Sequence, residues 1–275
     1  MRCIDFDARF ADYARDWVEA HEDDYTDVGE MELAMPQVYQ QFLDTPADWL
    51  GGERPGQYFN QWDDPALLIG WLGDYLDQGV SVPDMLLNRI AELGEPAAEV
   101  LCHLLDDDDA TNEKKMLAVT LLRELDSPLP MERYVAWQYE RSDEDELCDN
   151  AMESLESMGE AAREAMLEGL EGTCPAGREA LLGTLSHLTP DERVFEGLMA
   201  LLDARPRSRA VLAACLARLG DARALPRLME LAQEESLGYL DYIELRSAIE
   251  ALGGEAPERE FFDDPEYDAL MGVTP

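Results

Sequence analysis

Apolar positions along the chain recur in blocks of near-constant length. A short break, Leu-Gly or a close variant, stands at Leu93-Gly94, Leu125-Asp126, Met158-Gly159, Leu188-Thr189, Leu219-Gly220 and Leu252-Gly253, at intervals of 32, 33, 30, 31 and 33 residues. Seven residues before each anchor stand Leu86, Ala118, Ala151, Leu181, Leu212 and Leu245; three before stand Ile90, Leu122, Leu155, Leu185, Leu216 and Ile249. All are apolar, and offsets of three, four and seven share one face of an α-helix. The pattern predicts six helices, each carrying a core stripe up to its break.

The break suits the end of a helix. Glycine takes the left-handed conformation at no steric cost, Asp126 is a weaker substitute, and Thr189 is followed by Pro190, which cannot continue a helix. A second apolar stripe follows most breaks: Val100, Leu101, Leu104 and Leu105 after the first, and Met166, Leu167 and Leu170 after the third. Phe195, Leu198, Leu201 and Leu202 follow the fourth, and Leu225, Leu228 and Leu231 the fifth. Each block therefore reads as helix, tight turn, helix. One such pair cannot bury both of its faces, so neighbours are expected to stack.

The segment Leu219-Gly-Asp-Ala-Arg-Ala-Leu-Pro-Arg-Leu-Met-Glu-Leu231 resembles the HEAT-like repeat named after phycobilisome lyases, and Leu93-Gly-Glu-Pro-Ala-Ala-Glu-Val-Leu101 resembles another copy. In that family small or charged residues after Leu-Gly form the turn, and a proline early in the second helix is common. Pro226 stands there in the fifth copy, and Pro96 slightly earlier in the first. The resemblance covers about residues 79–254, with copies two and four degenerate. It implies an all-α fold: a right-handed α-solenoid of about six HEAT-like helix pairs with an N-terminal helical cap. It implies no particular activity, since such repeats serve scaffolds, lyases and modifying enzymes alike.

Residues 1–78 lack the repeat and hold Trp17, Trp49, Trp62 and Trp71, four of the five tryptophans. Phe6, Phe10, Tyr13 and Trp17 follow helical spacing, as do Leu68, Trp71, Leu72 and Tyr75. The region reads as an aromatic helical cap over the first repeat, or as a binding surface on that cap with Trp49 and Trp62 as candidate contacts. Residues 255–275 interleave acids with aromatics, which fits either a closing cap over the last repeat or a peptide recognised by a partner.

Charge changes the picture most. Sixty-one acidic residues against 21 basic ones leave a net charge of −40, and Lys114 and Lys115 are the only lysines. Nucleic acids and anionic membranes are held by cations meeting phosphates, so neither is an expected partner. A basic protein or peptide is. Acidic, lysine-poor composition also fits solvation in a salt-rich cell, with no partner implied. No apolar run approaches the roughly 18 residues of a membrane span. The opening residues alternate charge with apolar side chains, unlike a secretory leader. The cytoplasm is the expected compartment.

Two acidic runs, Asp106, Asp107, Asp108 and Asp109, then Asp143, Glu144, Asp145 and Glu146, fall in connections after a second helix. They are candidate partner contacts or a solvated edge. Against the trend, Arg205, Arg207, Arg209, Arg218, Arg223 and Arg227 meet one acid, Asp221, within 23 residues. Either they pair acids of repeats four and six or of the tail, or Arg205, Arg207 and Arg209 form a docking spot for carboxylate or phosphate.

Candidate chemistry is sparse. Five scattered cysteines (Cys3, Cys102, Cys148, Cys174, Cys215) contain no C-x-x-C and read as free thiols. A calcium loop counted from Asp107 would need glycine sixth and glutamate twelfth, where Asn112 and Ala118 stand. The di-iron hydroxylases built on HEAT repeats use several His-Glu pairs, whereas this chain has His21-Glu22 alone, outside the repeats. The alkylpurine glycosylases built on similar repeats need a basic groove. Cys102 and His103, adjacent on a helix, diverge by about 100° and make a poor nucleophile–base pair. The expected role is a non-catalytic interaction scaffold for a basic protein or peptide, with no catalytic residue, cofactor or metal. The alternatives are a lyase-like chaperone holding a chromophore or other small molecule, and an acidic mimic of nucleic acid.

Overall fold

A computed structural model describes residues 3–25, 27–261 and 264–271. Among them the chain forms fifteen α-helices, six short 3-10 segments and no strand. It divides into two compact units, Met1–Leu129 and Pro130–Pro275. That division falls well past the change of composition at residue 78, so the first repeat-like helices belong with the aromatic region.

The first unit holds α1 (Phe6–His21), α2 (Val28–Asp44), α3 (Pro65–Gln78), α4 (Asp84–Glu92), α5 (Glu95–Asp106) and α6 (Asn112–Glu124). Aspartates start the first three. Asp5 accepts from the Ala8 amide, Asp27 from that of Glu30, and Asp64 from those of Ala66 and Leu67, each relieving an unpaired donor of the first turn. The interior is aromatic. Phe6 and Phe59 are buried and lie 5.9 Å apart, and Trp62 meets Trp71 edge-on at 4.7 Å. The Tyr75 hydroxyl donates to the Ile4 carbonyl at 3.0 Å, tying α3 to the start of the chain, and burial pushes its pKa up. Helix α3 lies against α4, α5 and α6, and α5 against α6.

The second unit holds α7 (Met131–Trp137), α8 (Glu146–Met158), α9 (Arg163–Gly169), α10 (Pro175–Leu185), α11 (Glu192–Ala204), α12 (Arg209–Leu219), α13 (Leu225–Ala232), α14 (Tyr239–Ala251) and α15 (Pro265–Met271). Helix α8 touches α10, α10 touches α12, and α12 packs most extensively of all against α14. Helix α9 touches both α7 and α10, and α11 lies against α10 and α12. Two glycines let neighbours close up. A Cβ on Gly177 of α10 would sit 1.9 Å from the Gln138 carbonyl oxygen, and one on Gly169 of α9 would sit 2.4 Å from Val135.

The stripe predicted from spacing is the core. All twelve positions, from Leu86 and Ile90 to Leu245 and Ile249, are at most 1 % exposed. Gly94, Gly159, Gly220 and Gly253 have positive φ, and Asp126 is the one non-glycine among the described residues that does, at 49°. The fourth break is made differently. Helix α10 ends at Leu185, three residues before the anchor, and turns carry the chain on to Thr189. There the Glu160 carboxylate accepts from both the amide (2.6 Å) and the hydroxyl (2.7 Å) of Thr189. A contact from the preceding helix pair replaces the glycine. Those bonds lower the Glu160 pKa.

Arg259, Phe261 and Asp264 lie against α13, α14 and the turn between them. Arg259 donates to the Glu234 (2.5 Å) and Glu235 (2.9 Å) carbonyls, just past the end of α13. Asp264 accepts from the Tyr239 amide at 2.9 Å and from the first amides of α15, so one carboxylate caps two helices. Phe261 packs on Tyr239 and Tyr242, with ring centres 5.1 Å away in each case.

Candidate functional site

Three arginines placed 30 residues apart, Arg163, Arg193 and Arg223, organise the charge of the second unit. Each stands at or just before the start of a second helix. Asp191 accepts from the backbone amide of Arg193 (2.9 Å) and from its side chain (3.0 Å), and also receives Arg163 at 2.9 Å. Arg193 reaches back to Glu164 at 3.4 Å. One step on, Arg223 bonds Asp221 in the same way and forks onto Glu192 at 2.7 and 2.8 Å, with its guanidinium 4.2 Å from the Phe195 ring centre. Bidentate charge-assisted bonds of this kind fix geometry as well as adding energy. Donation by Arg193 holds the Asp191 carboxyl down at about 2 and raises Arg193 itself. The signal in the sequence is Asp191-Glu192-Arg193 echoed by Asp221-Ala222-Arg223, which a search confined to apolar spacing passes over.

The arginine-rich stretch is largely engaged by carboxylates of its own chain. Arg205 bonds Asp143 at 2.6 Å and pairs with Glu179. Arg209 bonds Glu234 at 2.6 Å and the Leu202 carbonyl. Arg227 pairs with Asp203 and Glu230. Arg218 donates to the buried Ser186 hydroxyl at 2.6 Å, and Arg207 is exposed. Of these partners Glu179, Glu192 and Asp203 lie in repeat four, as expected, while Asp143 stands just ahead of repeat three and Asp221, Glu230 and Glu234 lie in repeat five itself rather than in repeat six or the tail.

The acidic candidates scatter over different duties. Asp143 is bound to Arg205, so two of the candidate contact residues lie against each other. Asp145 caps α8 through the Cys148 amide at 3.0 Å, Glu146 begins that helix, and the Glu144 carbonyl accepts from Ser142. Asp106 ends α5, and Asp107, Asp108 and Asp109 form an exposed turn closed by Asp107 accepting from the Asp109 amide at 2.9 Å. In the first unit, Trp49 packs on Phe6 and Phe42 under the Arg9 guanidinium and keeps 37 % exposure. Trp62 is half-buried between Tyr58 and Trp71, and its carbonyl accepts from Arg89.

Two hollows open on different faces of α10. One, about 420 Å³, spans α8, α10 and α12 and is lined by Arg141, Glu179, His187, Arg205 and Arg218 among others. Its arginines are mostly tied, Arg141 to Asp149 at 2.5 Å and Arg205 as described. The other, about 640 Å³, lies among α9, α10 and α11, with Leu167, Leu170 and Leu182 beside Glu168, Glu171 and Glu196.

Burial, with a hydrogen bond and charge from Asp145, pushes the Cys148 thiol up to about 12, away from the reactive thiolate. Among the described residues no group of three or more His, Cys, Asp or Glu is placed to hold a metal ion, and no helix is long and apolar enough to cross a membrane. No protein-family model matches the chain, nor does any curated protein or any solved structure.

Proposed function

We propose that the chain is a HEAT-like α-solenoid serving as a non-catalytic scaffold for a basic protein or peptide. Support for the repeat reading comes from the twelve buried stripe positions and from the succession of α8, α10, α12 and α14, each touching the next. An arrangement of that kind buries in each neighbour what one pair leaves open.

The observation that carries the functional reading is how charge is distributed between pairs and surface. Most arginines of the second unit are engaged by carboxylates, carbonyls or, for Arg218, a serine hydroxyl, with Arg207 exposed, whereas Glu168, Glu171 and Glu196 have no cation within 4.0 Å among the described residues. With most cations paired and 61 acids set against 21 bases, the surface potential is negative, and a cationic partner is the one it attracts. A labelled lysine nonamer and a glutamate nonamer, titrated with the protein at about 0.1 M salt, test this by fluorescence anisotropy. The lysine peptide is expected to bind and the glutamate peptide to stay free. Equal behaviour of the two would end the proposal.

A further inference from the structure

We infer that the 640 Å³ hollow among α9, α10 and α11 is the docking site, and that its occupant is a peptide segment carrying lysine or arginine. This rests on the scaffold reading above and adds the place and the chemistry.

The floor and the rim of the hollow differ in kind. Leu167 and Leu182 are buried at its base and Leu170 is half-buried, while Glu168, Glu171 and Glu196 are exposed along its edge. Glu168 is the last residue but one of α9, Glu171 follows it by three residues, and Glu196 comes from α11, so carboxylates approach from two sides. Space is kept open by Gly197, where a Cβ would come within 2.9 Å of Leu182. The two arginines that also line the hollow have partners of their own. Arg178 donates to the Leu170 carbonyl at 3.0 Å, and Arg193 is clamped by Asp191 and Glu164. Neither tie runs to the three glutamates.

A long cationic side chain matches this arrangement. Lysine and arginine lay a hydrocarbon stem along apolar surface and keep the charged head at the edge. Leucines beneath carboxylates offer both halves of that contact. The volume falls within the range of about 300–1,000 Å³ that ligand sites occupy. The turn at Asp107, Asp108 and Asp109 has as many carboxylates but is exposed throughout, and pairs formed in open solvent are individually weak. Equal charge on a different floor gives a clean comparison.

The test uses two charge-matched variants of the full chain. One carries Glu168→Gln, Glu171→Gln and Glu196→Gln; the other carries Asp107→Asn, Asp108→Asn and Asp109→Asn. Both remove three negative charges and keep side-chain size, and thermal melts establish that both are folded. The probe is the lysine nonamer. The glutamine variant is expected to lose about tenfold in affinity and the asparagine variant less than about twofold. Equal weakening of the two would overturn the site while leaving the scaffold reading standing, since attraction would then be spread over the surface. No binding by the unsubstituted protein would overturn both.

Discussion

At single positions, contact distances decide what each glycine does. Gly177 faces the Gln138 carbonyl across a gap that no Cβ can enter, with Thr173 crowding the same point at 2.5 Å. Gly183, six residues along the same helix, has nothing within 4 Å of where its Cβ would stand. Gly177→Ala is expected to destabilise by about 3 kcal/mol or more, because backbone rather than a movable side chain must give way. Gly183→Ala is expected to stabilise by about 0.5–1 kcal/mol, through a less mobile unfolded chain and a better helix former. Urea midpoints of the two variants, moving in opposite directions, are the check. Aspartates show how a residue can mislead when read by charge alone. Asp5, Asp27, Asp64, Asp145, Asp191, Asp221 and Asp264 all accept backbone amides at the starts of helices or turns. Part of the acidity is local structure. Asp145 stands in a run singled out for its charge, and only its hydrogen bond to Cys148 reveals the cap.

Among elements, the apolar stripe was legible because its cause is local: 3.6 residues per turn put Leu181 and Leu185 on one face whatever they meet. The arginine bridges were not, because Arg205 and Asp143 are 62 residues apart in sequence and only the packing of helices joins them. The hollow beside α10 was hidden for the same reason. Leu182 and Glu196 look unrelated until α10 and α11 lie together. The Asp191 cluster makes a prediction about acid. Its carboxyl titrates at about 2 when folded, below the ordinary 3.8, so folding favours the ionised form. That stabilisation is complete above pH about 4 and is lost as pH falls toward 2. Asp191→Asn keeps a capping oxygen and removes the charge. The variant is expected to be less stable at pH 7 by about 1 kcal/mol, with the gap closing by pH about 2. Denaturant melts across that range give the comparison. At the other end of the unit, Asp264→Ala removes the cap from α14 and should lower its stability. Faster hydrogen exchange at the Tyr239 amide would report it locally.

For the whole molecule, repulsion among 61 acids opposes the many short bridges. The net charge of −40 favours repulsion as the larger effect, and salt screens it over a Debye length of about 8–10 Å. Melting temperature is expected to rise as sodium chloride goes from about 0.01 to about 0.5 M. A fall would mean that the bridges outweigh the repulsion. The sign and size of the charge were plain from composition, and the proposed class of partner follows from them. Which carboxylates are free to meet that partner was not, because freedom depends on whether an arginine from another repeat has arrived first. Asp143 has one, and Glu196 has none among the described residues. The most direct measurement is therefore the dissociation constant of the lysine nonamer across a series of salt concentrations. Attraction between an acidic face and a cationic segment predicts affinity falling by about tenfold or more between about 0.05 and 0.5 M salt. An affinity unchanged across that range would contradict it.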